Sequence, residues 1–271
     1  MPHTSRKKKA SAQKRMEVAD DDGWTHVTKG GMGPRRTIKT AERELLPAEP
    51  PSRLTAEELE KQYETHKQKW NESSTSETLS HVLRERLARA MKNIDNIVCI
   101  GLGSPSGFLR GGWVDRRSVS LYQLAALASI CSLLGMSSVG LQLLHYSDIS
   151  TETFDTQSAA MKVFAQDPVF NDFDKKLLQS LGITVVEDPK AFELVNERTF
   201  LYCPGAERAH LDRILVSNPA ILFGGPLDNL SPEQEVLASY VHARNSLQLP
   251  IFEPNEHAFW NMRLYWKDED N

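Results

Sequence analysis

The last two-thirds of this 271-residue chain predicts an α/β fold: a Rossmann-like, doubly wound and mostly parallel sheet. Three observations predict it. From Asn96 onward, apolar segments of strand length alternate with segments of helical period. The strand segments are nearly continuous in apolar residues, as expected where helices cover both faces of a sheet. Several of them stop at glycine or proline, as at Gly101-Leu102-Gly103, Pro204-Gly205 and Gly224-Gly225-Pro226. Sheets of this kind bind ligands outside the C-terminal strand ends, where the strand order reverses.

The elements follow in order. Residues 1–53 read as a disordered, basic tail. They hold Lys7-Lys8-Lys9, Asp20-Asp21-Asp22, Gly30-Gly31, Pro34, Pro47, Pro50 and Pro51, with little periodic apolar content to offset the entropy of ordering. One island, Asp22-Gly23-Trp24-Thr25-His26-Val27, fits docking onto the chain's own domain or a partner, and equally a solvated tail that carries a Trp by chance. Residues 54–271 are the expected domain. Leu54–Trp70 opens with Thr55 as N-cap and Glu58 completing a capping box, and its many charges predict a peripheral helix. After Ser73–Ser76, a second helix carries Leu79, Val82, Leu83, Leu87, Ala90, Met91 and Ile94 on one stripe.

Strands are then expected at Asn96–Ile100, Met161–Gln166, Ile183–Glu187, Arg198–Cys203 and Ala220–Phe223. The helices between them fall at Ser118–Leu134, Asp172–Leu181 and Glu207–Ser217, with Gly182 as a C-terminal stop signal. Pro232–Leu247 reads as a last helix, and Leu249–Phe252 with Phe259–Trp266 as two closing strands. Residues 137–160 read as an insertion over the crevice or an extra helix.

Charge divides the chain unevenly. Its net −4 is made of +5 in residues 1–44, from eleven Lys/Arg against six Asp/Glu, and −9 in the rest, from 21 against 30. A basic arm on an acidic body disfavours a domain-wide nucleic-acid surface. The clusters Arg6–Lys9 and Lys14-Arg15 read first as a solubilising tail, and otherwise as a nuclear-import patch or an RNA-contacting arm. The richest apolar stretch, Val119–Leu134, is interrupted by Tyr122, Gln123, Ser129 and Ser132. It falls short of the roughly 18–20 residues of a membrane span. The first residues are basic and polar, without the apolar core of a secretory signal. Cys99, Cys131 and Cys203 are far apart and sit among apolar neighbours, which fits reduced thiols in a cytoplasmic or nuclear protein.

The candidate site residues all fall at C-terminal strand ends. Gly101 and Gly103, with Ser104, would let the backbone approach a cofactor and turn amide N–H groups towards it. Asp167 closes the second strand of the sheet, where an acid accepts ribose hydroxyls in nucleotide-binding sheets. Asp188 either reaches a base or caps the turn before Pro189. Tyr202, Cys203, Pro204 and Gly205 stand where substrate-contacting residues sit in many adenosylmethionine-dependent transferases. The third glycine of the dinucleotide fingerprint is missing after Gly101-x-Gly103, and Asp167 lies far beyond the roughly 20-residue offset of that motif. Gly103-Ser104-Pro105-Ser106-Gly107 is no nucleophile elbow, because its centre is proline. No phosphate-loop Lys, His-Glu-x-x-His or Cys/His pairing occurs, so no metal is expected. His145, His210, His242 and His257 are isolated in sequence.

Several of these segments together resemble the "sensitivity to red light reduced" (SRR-like) domain family. They are Ile97-Val-Cys-Ile-Gly-Leu-Gly-Ser104, Tyr122-Gln-Leu-Ala125, Asp167-Pro-Val-Phe170 and the Leu-Gly-x-x-Val of 181–185. Asp-Gly-Trp-Thr at 22–25 and Phe-Glu-Pro-Asn-Glu-His-Ala-Phe at 252–259 are similar to that family's flanking segments. The resemblance spans about residues 75–265. It implies regulation: clock input in plants, control of haem synthesis in animals, microtubule-related processes in yeast. It implies no particular reaction. Where many members carry His-Cys-Pro, this chain has Tyr202-Cys203-Pro204.

The function expected is therefore a regulatory or scaffold protein with a protein partner and a ligand-sensing crevice. The alternative is an adenosylmethionine-dependent methyltransferase holding its cofactor at Gly101, Gly103 and Asp167. A nicotinamide-nucleotide binder is disfavoured by the incomplete glycine pattern.

Overall fold

The computed structural model describes residues 15–19, 25–29, 46–109, 116–135, 161–228, 230–231 and 234–267. The chain divides into two compact units, Met1–Glu44 and Leu45–Asn271. In the first, β1 (Arg15–Ala19) and β2 (Thr25–Lys29) pair antiparallel, with Arg15 opposite Lys29 and Ala19 opposite Thr25. Val18, Thr25, Val27 and Thr28 are β-branched, which suits strands. Trp24 and the basic clusters at 6–9 and 14 lie outside the described residues.

The second unit begins nine residues ahead of the expected boundary at Leu54. Residues just before Leu54 are tied to the domain. Ala48 is buried and its N–H donates to Val169 O, and Glu49 pairs with Phe108 in an isolated bridge. The tie is made by backbone groups, which residue type does not announce.

The sheet of this unit has seven strands: β3 (Asn96–Ile100), β4 (Lys162–Gln166), β5 (Thr184–Val185), β6 (Thr199–Cys203), β7 (Ile221–Gly224), β8 (Asn245–Gln248) and β9 (Arg263–Trp266). Their spatial order is β5-β4-β3-β6-β7-β9-β8. The first five are parallel, and β9 runs antiparallel to both β7 and β8. The chain winds outward from β3 through β4 to β5, then returns to β6 on the other side of β3. The order thus reverses between β3 and β6, and their C-terminal ends carry Gly101–Gly103 and Pro204–Gly205.

Both faces of the sheet are covered. Ile97 and Cys99 join one apolar cluster while Val98 and Ile100 join the other, as the period of two along a strand requires. The first cluster includes α1 (Ala56–Asn71), α2 (Ser74–His81), α4 (Arg117–Leu133) and α5 (Asp172–Ser180). The second includes α6 (Lys190–Leu194), α7 (Arg208–Ile214) and α8 (Glu235–His242).

The first helix is less peripheral than its charges predict. Thr55 caps it by accepting the Glu58 N–H at 3.2 Å, and Leu59, Tyr63 and Trp70 are buried. The expected second helix is broken into α2, a π-helical turn at Val82–Arg86 and α3 (Ala88–Lys92). The turn is closed by Leu87 N–H bonding Val82 O, and Leu79, Val82, Leu83 and Leu87 all stay buried.

The largest correction is at the C-terminal end. The expected helix at 232–247 stops at His242, and Asn245–Gln248 forms β8 instead of a fourth helical turn. Pairing with β9, with Leu247 opposite Leu264, overrides local helical period. Leu249–Phe252 is not a strand, and Glu256–Phe259 forms a 3-10 turn. The expectation for 137–160 lies outside the described residues.

Candidate functional site

The Gly101–Gly107 loop leaves β3 and is held by its own neighbours. Gly101 and Gly103 both take positive φ, +77° and +72°. A β-carbon on Gly101 would lie 2.6 Å from the Gly205 carbonyl carbon, and one on Gly205 would lie 2.5 Å from Gly101 O. The loops after β3 and β6 therefore touch backbone to backbone at the reversal point, which only glycine permits.

Asp167, at the end of β4, accepts the Gly103 N–H at 2.7 Å and the Val169 N–H at 3.0 Å. Ser104 donates to Asp174 at 2.6 Å and accepts the Gly107 N–H at 2.8 Å. Asp174, wholly buried in the first turn of α5, also accepts the N–H groups of Ser106 and Asn171. Asn171 completes a capping box with Asp174, accepts the Ser106 hydroxyl and donates to Ala48 O. Two loops and the segment entering the domain are thus joined by one polar network around two carboxyl groups.

Burial raises the pKa of both Asp167 and Asp174 above the ordinary carboxylate value, against the opposing pull of their N–H and hydroxyl donors. The thiols are further from ionising. Burial raises Cys99 and Cys203, and pushes Cys131 up to about 12. All three stay protonated at neutral pH, so none is a ready nucleophile.

The other expected site residues divide. Tyr202 and Cys203 are buried in the sheet's two cores. Tyr202 stacks on Phe223 and donates its hydroxyl to Gln123 O at 3.1 Å. Pro204 is half-buried and Gly205 exposed. Asp188 accepts Gln166 Nε2 at 2.7 Å, while Gln166 Oε1 takes the Ala191 N–H, so this acid anchors α6. A cavity of about 450 Å³ lies elsewhere, between the 215–218 turn and α8, beside Tyr240 and Arg244. Among the described residues no group of three or more His, Cys, Asp or Glu is placed to hold a metal ion. No described helix is long and apolar enough to cross a membrane.

One arrangement has no signal in the sequence. His66 of α1 faces Ser118 of α4, 52 positions away, with Nε2 at 3.2 Å from Oγ. Neither spacing nor motif brings them together; only the packing of α1 on α4 does.

Fold and site together define an α/β protein of doubly wound type, closed by an antiparallel pair, with a tightly bonded glycine loop at the reversal of strand order. The SRR1 domain family matches residues 56–266, and the chain belongs to that family. Among solved structures, a crystal structure of Thermoplasma acidophilum 1320 is similar at 9% identity, covering 77% of this chain and 98% of that one. Its TM-score is 0.34, a likeness too slight to build on. No curated protein matches.

Several of the segments of the second unit that carry the family resemblance meet in space. Gln123 of Tyr122-Gln-Leu-Ala125 donates to Ala258 O of the 252–259 segment at 2.8 Å, while its own carbonyl takes the Tyr202 hydroxyl. The Tyr122 ring packs edge-on against Phe252 at 4.8 Å. Asp167 of Asp-Pro-Val-Phe holds the Gly103 amide.

Proposed function

We propose that this SRR1 domain is a regulatory scaffold that works through a protein partner, with a crevice braced by its own side chains. Family membership supports a regulatory type of protein in general terms. The observation that carries the reading is the network itself. The groups best suited to grip a cofactor, namely the Gly103 amide, the Asp167 carboxyl and the Ser104 hydroxyl, are bonded within the protein. A ligand arriving there must replace bonds already made in a largely desolvated setting, which gains it little. Clock input, control of haem synthesis and microtubule-related processes are the settings the resemblance offers, in the cytoplasm or nucleus.

A second reading is favoured by a different observation. Seven strands, a glycine turn after the first strand of the sheet, an acid after the second and a closing antiparallel pair fit an adenosylmethionine-dependent methyltransferase. In it Gly101, Gly103, Ser104 and Asp167 would hold the cofactor, and of the 202–205 run Pro204 and Gly205 would face the substrate, the side chains of Tyr202 and Cys203 being buried in the sheet. Asp167 would serve through the lone pairs its two N–H donors leave unused.

Calorimetry of the full chain against adenosylmethionine, its demethylated product, NAD and haem separates the two. The scaffold reading expects no saturable heat with any of them. Tight binding of adenosylmethionine that disappears in Asp167→Ala would favour the transferase instead.

A further inference from the structure

We propose that Ser118 and His66 form a nucleophile–base pair able to transfer acyl groups from carboxylic esters through a Ser118 acyl-enzyme. The proposal goes beyond the scaffold reading and does not rest on it, because it uses none of the crevice residues.

The chain of hydrogen bonds has a fixed direction. His66 Nδ1 lies 2.7 Å from the Gln62 carbonyl oxygen, one turn earlier in α1. A carbonyl only accepts, so Nδ1 carries the ring proton and Nε2 presents its lone pair. Nε2 lies 3.2 Å from Ser118 Oγ, so the hydroxyl donates to it. On the other side, Asn255 Oδ1 accepts the His257 N–H at 3.1 Å, which turns Asn255 Nδ2 towards Ser118 Oγ at 3.5 Å. Backbone groups thus orient the imidazole and the amide, and both face the same hydroxyl. An oriented base holding the proton of a hydroxyl is the arrangement an activated serine needs.

The surroundings suit the chemistry. Burial lowers the His66 pKa, so the ring is neutral and able to take a proton at neutral pH. The Tyr122 ring, 4.5 Å from the imidazole, walls one side. Ser118 and His66 are half-buried, so the pair is partly exposed to solvent. Ser118 is the second residue of the 17-residue helix α4, which starts without a capping side chain. The first intrahelical bond runs from Ser120 N–H to Arg116 O, so the Ser118 and Val119 amides have no acceptor within the helix. The amide following a nucleophile at a helix start is well placed to stabilise the oxygen anion of a tetrahedral intermediate.

Ser118 Oγ bonds to the acyl carbon as its proton passes to His66 Nε2. The carbon–oxygen bond to the leaving alcohol breaks, and that oxygen takes the proton from His66. Water then attacks the Ser118 ester, gives a proton to His66, and releases the acid as Ser118 Oγ recovers the proton.

The test uses the full chain with p-nitrophenyl acetate and a fluorophosphonate probe, read by nitrophenolate burst and by intact and peptide mass. A burst approaching one equivalent and a phosphonate adduct on Ser118 are expected. Ser118→Ala should abolish both, and His66→Gln should slow labelling about 100-fold or more. Thermal unfolding of both variants verifies that they fold; in case either does not, the wild-type adduct map decides alone. No adduct on the wild-type chain, an adduct at another residue, or labelling unchanged in a folded Ser118→Ala overturns the proposal. Cofactor calorimetry is unaffected by either outcome, so the two readings fail separately.

Discussion

The glycine loop after β3 and the Ser118–His66 pair on the neighbouring helices use similar polar groups in opposite ways. At the loop, the half-buried Asp167 and the buried Asp174 collect the amides of Gly103, Val169, Ser106 and Asn171 and the Ser104 hydroxyl, with bonds of 2.6 to 3.0 Å. At the pair, one half-buried hydroxyl stands between an imidazole at 3.2 Å and an amide at 3.5 Å. The first arrangement ties together two loops and a chain entry. The second spans α1, α4 and the 249–262 segment with long bonds near solvent. Polar residues at a strand end are thus not in themselves a ligand site; what matters is whether their bonds close on the protein.

Breaking the loop should therefore cost folding stability, and breaking the pair should not. The largest effect is expected for Gly101→Ala or Gly205→Ala, whose added β-carbon meets fixed backbone. Each should lose about 3 kcal/mol in urea unfolding. Asp174→Ala comes next, at about 2–3 kcal/mol, because it strands buried donors from Ser104, Ser106 and Asn171. Tyr202→Phe should cost about 1 kcal/mol through loss of the hydroxyl's hydrogen bond to the Gln123 carbonyl. Ser118→Ala should shift stability by only about 0.5 kcal/mol or less. A loss at Ser118 as large as that at Asp174 would erase the contrast.

The two carboxyls also give the loop a pH signature. Their folded pKa values are raised above the ordinary value of 3.8, first by burial. Between that value and the raised ones the folded state binds more protons than the unfolded chain, so their contribution to stability falls as pH rises through this window. The wild type should accordingly gain stability, relative to Asp167→Asn/Asp174→Asn, when acidified from neutral pH into it. Urea midpoints of the two proteins across pH 4–7 measure the difference; the opposite slope would show that the N–H donors outweigh burial.

Much of this organisation is legible in the residues. Five parallel strands, the stop at Gly182 and the Thr55 cap follow from period, glycine and capping chemistry, which act over a few neighbours. The failures come where distant partners decide. Asn245–Gln248 carries helical neighbours but pairs with β9. Asp167 sits at a cofactor position by sequence, and only the fold reveals that its first bond is to Gly103, 64 residues away. Tyr202 likewise reads as a substrate contact, yet its side chain lies inside the core. His66 and Ser118 carry no motif and meet only through helix packing.

Amide hydrogen exchange at Gly103 tests most directly whether the loop closes on itself. The Gly103 and Ser106 amides should exchange slowly in the wild type, and Gly103 should be released selectively in Asp167→Ala. Adding adenosylmethionine should change neither. Fast exchange at Gly103 in the free protein, slowing only when adenosylmethionine is present, would contradict the closed network and mark the crevice as a cofactor site.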